Sequence, residues 1–330
     1  MNTAIIGTGR IAYFLEKDPI RYSPCTHIGA LALLKKKKYP VNFQSFCDLD
    51  IEKAHIVTRE LKLESKTVLT NNYKNAIDLN PDLVVIATNT YSHFFITEYA
   101  LKKNVKKIVL EKPIAMKKEE ADNILKLATK KKAKIWINYE RRYHPKYLKL
   151  QKMIIESKPW GKALYYNGTF CSNNKSMLSK KENEGILLHD STHLLDLIYF
   201  LFGRENSKYL IYNKKMNVHN ILLQHEKISG NIISLGQIPY FHFELEILFE
   251  YARIHIGNGF FYIEKIIRNK FYANFNSLAS IKNIWEKKIT WKTNPFIRLY
   301  MNVLDDNYNI ETLKDACQNI TTMTTDNKII

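Results

Sequence analysis

Met1-Asn-Thr-Ala-Ile-Ile-Gly7-Thr8-Gly9-Arg10-Ile11-Ala12 opens the chain. A short apolar run, Ala4-Ile5-Ile6, passes directly into Gly7-x-Gly9-x-x-Ala12, the pattern of a dinucleotide-binding turn with alanine in the third small position. Gly7 permits the tight turn out of the strand. Gly9 lets a pyrophosphate approach the backbone, and Ala12 keeps the next segment close to the sheet. Thr8, Arg10 and Ile11 complete the turn and are expected cofactor contacts, with N–H groups at a helix start facing the phosphates.

Around this turn the first third of the chain alternates apolar strands with amphipathic helices, which predicts a parallel sheet. Strands are expected at Thr3–Ile6, Phe43–Cys47, Thr67–Leu69, Leu83–Ala87, Lys107–Leu110 and Lys134–Asn138. Helices are expected at Thr26–Lys38, Ile51–Leu63, Ser92–Lys102 and Lys118–Lys131. Val84-Val85-Ile86 and Ile108-Val109-Leu110 are unbroken apolar runs, as strands covered on both faces should be. From about residue 140 the pattern changes. A helix over Pro145–Glu156 precedes a strand over Lys162–Phe170 and one strongly apolar helix, Leu188–Phe202. Runs rich in Tyr, Phe and Ile between Lys208 and Ile266 then predict a mostly antiparallel sheet, and two helices close the chain at Phe296–Asp305 and Ile310–Thr322. The fold class is therefore α/β. A doubly wound, Rossmann-type parallel sheet is expected over 1–140 and an α+β domain for substrate and assembly over 141–330, with the last helix packing back on the first domain.

The 330 residues, 45% hydrophobic and 25% charged, are those of an ordinary globular protein. No apolar stretch approaches the roughly 20 residues that cross a bilayer, and a first strand beginning near residue 3 leaves no room for a cleavable leader. Cys25, Cys47, Cys171 and Cys317 are scattered without a CxxC pair and read as free thiols in a reducing cytosol. The net charge of +18 raises nucleic-acid binding as a class. The lysine runs 35–38 and 130–132 fall at expected helix ends, however, where cations favour the dipole and water. Neither nucleic acid nor membrane is expected as a partner, though the positive field suits an anionic substrate such as a nucleotide-linked sugar.

Five further groups carry chemistry. Asp48, just past the second strand, is placed to accept from a ribose 2′-hydroxyl and to repel a 2′-phosphate, which favours NAD, with NADP as the alternative. It lies 36 residues beyond Ala12, against about 20 in the simple fingerprint, so Tyr13–Cys25 reads as an inserted loop. Its other reading is a cap on the helix at Ile51. Thr88, Asn89 and Thr90 end the fourth strand and offer polar groups to a nicotinamide ribose; Thr90 or Ser92 also suits a helix cap. His93 lies near that helix start, on the cofactor side, as a packing or supporting residue rather than a catalytic one.

Glu111-Lys112-Pro113 follows the fifth strand, and Glu111 and Lys112 are expected cofactor contacts. A lysine held there can donate to a substrate hydroxyl and lower its pKa, while a solvated lysine is the plain alternative. Arg141 and Arg142, with Tyr143, either grip substrate oxygens or form a hinge ion pair with Glu140. His189, His193 and Asp196 share a helical face, with Asp190 beside His189; Asp190 and His193 are expected substrate contacts. His193 suits the acid/base role. The same letters, His-Asp-x-x-His, also allow a zinc-hydrolase reading on His189 and His193 without an evident third ligand, or a buried structural pair; no metal is expected.

Together, Gly7-x-Gly9-x-x-Ala12, Ile86-Ala87-Thr88-x-Thr90, Glu111-Lys112-Pro113 and Leu188-His189-x-x-x-His193-x-x-Asp196 resemble the Gfo/Idh/MocA family of glucose-fructose oxidoreductase and inositol dehydrogenase relatives. The likeness runs in order along essentially the whole chain. It implies an N-terminal Rossmann domain, a C-terminal domain with an open sheet whose face often mediates oligomers (a dimer or tetramer here), and NAD(P)-dependent oxidation or reduction of a secondary carbinol in sugars, cyclitols or nucleotide sugars. It implies that Lys112 orients the substrate hydroxyl beside the nicotinamide and that His193 is the acid/base. Two departures stand out. His189 occupies the place of a common aspartate, so a proton relay runs through His189 or is rebuilt around Asp190. Asn89 replaces a common proline. The expected activity is a cytoplasmic oxidoreductase; the alternative on the same scaffold is a non-catalytic NAD(H)-binding sensor.

Overall fold

Mostly apolar strands form the centre of the first sheet. In this computed structural model, which describes residues 1–63, 66–173, 187–213, 216, 218–280, 289–324 and 327–329, β1 (Asn2–Ile6), β4 (Leu83–Ile86) and β5 (Lys107–Leu110) lie side by side. Flanking them are β2 (Asn42–Cys47), β3 (Val68–Thr70) and β6 (Lys134–Ile137). The order β3-β2-β1-β4-β5-β6 is all parallel. The chain order reverses between β1 and β4, which is where a doubly wound sheet opens a crevice at its carboxyl ends.

The helices are α1 (His27–Lys36), α2 (Ile51–Glu60), α3 (Tyr73–Asp78), α4 (Thr90–Lys102) and α5 (Lys118–Lys131). Thr26 caps α1 through its side chain, which accepts from Gly29 N–H. Lys35 and Lys36 sit in the last turn of α1, and Lys130 and Lys131 in that of α5, as the dipole favours. One core of the unit gathers Ile5, Val85 and Val109 from the strands with Ile28, Leu31 and Leu34 of α1. Residues 289–320 rejoin this first unit, Met1–Tyr143. Within them α8 (Pro295–Leu304) adds Phe296, Leu299 and Tyr300 to the same core, and α9 (Ile310–Thr324) follows.

The second unit spans His144–Lys288 and Thr321–Ile330. After α6 (Pro145–Glu156) and β7 (Ala163–Cys171), a π-helical turn at Leu187–Ser191 leads into α7 (Thr192–Phe202). The continuous helix expected over Leu188–Phe202 is thus divided: the wider π turn holds His189 and the α-helix holds His193, so the two do not have the register of one α-helix. β8 (Ser207–Asn213), β9 (Val218–Gln224), β10 (Ser229–Leu235), β11 (His242–Phe249), β12 (Ala252–Gly257), β13 (Phe260–Arg268), β14 (Asn276–Ser280) and β15 (Asn327–Ile329) complete it.

The sheet runs β14-β13-β12-β11-β7-β10-β9-β8-β15, antiparallel except where β7 meets β10 and β8 meets β15. Period-two burial marks its inner face: Phe243, Leu245, Ile247 and Phe249 are buried while Glu244 and Glu246 turn outward. A Cβ on Gly168 would lie 2.9 Å from Leu194, so the bare backbone of β7 is what lets α7 pack there. Cys25, Cys47, Cys171 and Cys317 are free and buried, and among the described residues no helix is long and apolar enough to cross a membrane.

His219 of β9 is buried and stacked on Tyr212 at 4.1 Å. Burial lowers its pKa to about 4, against about 6.5 unfolded. The unfolded chain therefore binds the extra proton first, so the stabilisation is complete above about pH 6.5 and is lost as pH falls towards 4. The urea midpoint is expected to drop between pH 7 and pH 5, and to drop less in His219→Phe, which keeps the stack without the titration. An equal drop in both proteins would contradict this.

Candidate active site

The turn after β1 is set by one close approach. Gly7 has φ +88°, and a Cβ there would lie 2.5 Å from Ala87 O at the end of β4. Its N–H donates to Cys47 O at 2.7 Å, tying the turn to β2 as well. Above Gly9 the situation is opposite: a Cβ would meet nothing within 4 Å. The backbone beyond is helical for one turn, with Tyr13 N–H and Phe14 N–H donating to Gly9 O and Leu15 N–H to Arg10 O. The leading N–H groups of such a turn have no partner inside it. Arg10 is exposed, Ile11 half-buried and Thr8 buried.

The insertion expected at Tyr13–Cys25 is present. It forms a 3-10 helix, Phe14–Lys17, then an irregular run that closes on itself. His27 N–H donates to Ile11 O and Ile28 N–H to Ala12 O, so α1 starts against the turn it would otherwise have continued. Glu16 holds the loop inside, accepting from Cys25 N–H at 3.0 Å and from Thr26 Oγ1 at 2.8 Å.

Asp48 faces the fingerprint. Its Oδ2 accepts from Thr8 N–H at 2.7 Å and from Thr8 Oγ1 at 3.0 Å, and its Oδ1 from Asp50 N–H at 3.0 Å. The residue at the N-cap of α2 is Asp50, not Asp48. Leu49 beside it is 93% exposed. At the end of β4, Thr88 Oγ1 accepts from Ser92 Oγ at 2.7 Å; Asn89 is exposed, Thr90 buried. Asn89 is the N-cap residue of α4, although its side chain makes no capping bond.

Two buried histidines take hold of the segment after β5. His93 is fully buried, its Nδ1 2.7 Å from Pro113 O and its Nε2 3.0 Å from Thr88 O. Burial pushes its pKa down against the hydrogen bonds to Pro113 and Thr88, which favour the charged ring. His27 lies on the other side, its Nε2 2.8 Å from Glu111 Oε1. Glu111 also accepts from Asn138 Nδ2 at 2.5 Å and from Lys112 N–H at 3.3 Å, so this residue, read as a cofactor contact, has both carboxylate oxygens engaged within the unit. Burial alone would raise its pKa. The hydrogen bond and charge of His27, the Asn138 bond and the Lys112 charge outweigh it, and the net direction is down. Lys112 is half-buried and its bond to Pro113 is cis. The sequence reading missed His27, Asn138 and Tyr300; the available signal was a histidine inside the apolar run Thr26-His27-Ile28-Gly29-Ala30.

Arg142 Nη2 lies 2.9 Å from Asp315 Oδ2, both side chains nearly buried, and this pair competes with the grip on substrate expected of it. Arg141 is buried with its Nη1 3.9 Å from Glu140 Oε1, and half-buried Tyr143 packs on the apolar core. In the second unit His189 Nδ1 lies 2.8 Å from Asp190 Oδ1, and Asp190 Oδ2 accepts from Ser172 Oγ at 2.7 Å. His193 is half-buried and Asp196 buried. Among the described residues no group of three or more His, Cys, Asp and Glu side chains is arranged to hold a metal.

A glycine turn under a sheet crevice, open space over its second glycine and a carboxylate at the end of β2 define the class as an NAD-binding Rossmann protein. Residues 1–139 match the GFO_IDH_MocA family, described as an oxidoreductase family with an NAD-binding Rossmann fold. The match spans the N-terminal domain, which is thus similar to the NAD-binding domain of that family.

It is 25% identical over 204 residues to scyllo-inositol 2-dehydrogenase (NAD(+)) of Bacillus subtilis (strain 168), covering 61% of this chain and 54% of that protein. The chain spans about half the length of the curated relatives it matches. Levoglucosan dehydrogenase in complex with NADH and levoglucosan shares the fold at a TM-score of 0.75, with 16% identity over 98% of this chain and 96% of that one. UDP-N-acetylglucosamine 3-dehydrogenase from Acidithiobacillus ferrooxidans does so at 0.69, with 15% identity over 98% and 96%.

The two glycines predict opposite failures. Gly9→Val is expected to melt like the parent yet lose NADH binding, followed by protein-to-NADH fluorescence transfer. Gly7→Val should cost on the order of 3 kcal/mol of stability through its φ and the Ala87 clash. A Gly9→Val protein that still binds NADH would contradict the assignment.

Proposed function

We propose that the protein is an NAD-dependent dehydrogenase or reductase acting on a secondary alcohol, or the matching ketone, of a sugar, nucleotide sugar or cyclitol. The observation that carries this reading is a single crevice edge in the first unit. It combines open backbone at Gly9, the Asp48 carboxylate and, two strands away, a lysine held at the exit of β5. The inositol dehydrogenase relative and the levoglucosan and nucleotide-sugar dehydrogenases of the same fold support the substrate class.

In this reading Gly7, Thr8, Gly9, Arg10 and Ile11 bind the pyrophosphate, Asp48 the adenosine ribose, and Thr88, Asn89 and Thr90 the nicotinamide side. Exposed Leu49 offers apolar surface to a base. NAD, when bound, supplies the two-electron acceptor for the carbinol C–H. Lys112 donates to the substrate oxygen and stabilises the charge that grows there as the O–H proton leaves. His193 takes that proton, and the His189–Asp190–Ser172 chain is the path proposed for passing it on. Tyr143 is assigned to the substrate, and Arg142 to the Asp315 pair first. A homo-oligomer formed through the outward sheet face, and a cytoplasmic setting suited to four free thiols, belong to the same proposal.

A screen of nucleotide sugars, free sugars and inositols, read by NADH absorbance, tests the activity. Lys112→Ala and His193→Ala are each expected to fold and to lose several orders of magnitude in turnover. Near-parental turnover of either variant removes that residue from the mechanism. Asp48→Ser should narrow the preference for NAD over NADP by about tenfold or more, because the carboxylate repels a 2′-phosphate; an unchanged ratio would place the ribose elsewhere.

A further inference from the structure

Three segments distant in sequence meet at one buried imidazole. The backbone N–H of His27 donates to Ile11 O in the fingerprint turn at 3.3 Å. Its Nε2 lies 2.8 Å from Glu111 Oε1, and its Nδ1 lies 2.7 Å from Tyr300 OH of α8. His27 and Tyr300 are both fully buried, and the Phe296 ring meets the imidazole edge-on at 5.5 Å. A carboxylate only accepts, so His27 Nε2 carries the proton that joins it to Glu111. Asn138 then presents its NH2 to the same carboxylate, since the reversed amide would set oxygen against oxygen.

We infer that His27, acting through Glu111, is a positioning residue for Lys112 and couples its setting to the dinucleotide turn. Glu111 precedes Lys112, accepts its backbone N–H and is 6% exposed. A buried carboxylate left short of a donor is costly, and the segment carrying it moves or the charge is lost. His27 is the donor that prevents this, and it is itself fixed by Ile11 on one side and Tyr300 on the other. His93 holds Pro113 O at the far end of the turn, so the three residues 111–113 are gripped from both ends by buried rings. Lys112 thus leaves the turn from a backbone fixed on both sides, which sets where its amine is presented.

The inference extends the proposed site, and its first test needs no turnover. The purified protein and the variants His27→Phe, His27→Gln and Glu111→Gln are treated with limiting acetic anhydride. Acetylation of Lys112 is measured by peptide mass, with exposed Lys117 as the internal standard. The rate reads how openly the half-buried Lys112 amine is presented to the reagent. Lys112 should acetylate at least about threefold faster in Glu111→Gln and His27→Phe, while His27→Gln, which keeps an N–H donor, stays near the parent. An unchanged Lys112 rate in Glu111→Gln overturns the inference, as does a His27→Gln protein that behaves like His27→Phe. If His27→Phe does not fold, the Glu111→Gln and His27→Gln pair decides alone. The second test is turnover on whichever substrate the screen returns: His27→Phe should lower kcat with KM for NAD unchanged, and His27→Gln should restore it. If no substrate is found, the oxidoreductase reading fails and the labelling result stands by itself.

Discussion

No side chain fits at position 7. The carbonyl of Ala87 occupies the place a Cβ would take, 2.5 Å away, and the crevice follows from that closeness. Because β1 can turn under the end of β4, the backbone of Gly9 comes to the edge of the sheet with open space over it, and Asp48 of the neighbouring strand can reach Thr8. A dinucleotide site needs backbone that approaches phosphate without an intervening side chain. Gly7 makes the approach geometrically available, and Gly9 keeps it clear.

A second constraint is electrostatic. Glu111 sits in the protein interior with its pKa held down, which burial alone opposes. It is satisfied by His27, Asn138 and the backbone of Lys112. Buried polar groups of this kind stabilise only when every member is paired. The insertion at residues 13–25 belongs to this arrangement. It delays α1 until His27, and its closure against Ile11 and Ala12 fixes where that histidine enters the core.

Much of this was legible from local pattern. The unbroken apolar runs around Val85 and Val109 read as strands covered on both faces, and the lysine runs as helix ends. β5 and the helices α5 and α6 begin and end at the residues the pattern indicates. α3 was invisible because it is one short helix burying only Ala76 and Ile77, too few positions to show a period. The π turn was invisible because a spacing of four reads identically whether the helix is regular or widened. The parallel meeting of β7 with β10 depends on the path of the chain through space rather than on any stretch of it. His27, Asn138 and Tyr300 were missed for the same reason. Each looks like a polar residue tolerated in an apolar segment, and only their meeting around Glu111 shows why they are there.

The most direct measurement is a crystal structure of the protein grown with NADH. The account requires the pyrophosphate to lie over Gly9, the adenosine ribose against Asp48 and the nicotinamide ring beside Lys112. A dinucleotide bound elsewhere, or a nicotinamide ring out of reach of Lys112, would contradict it.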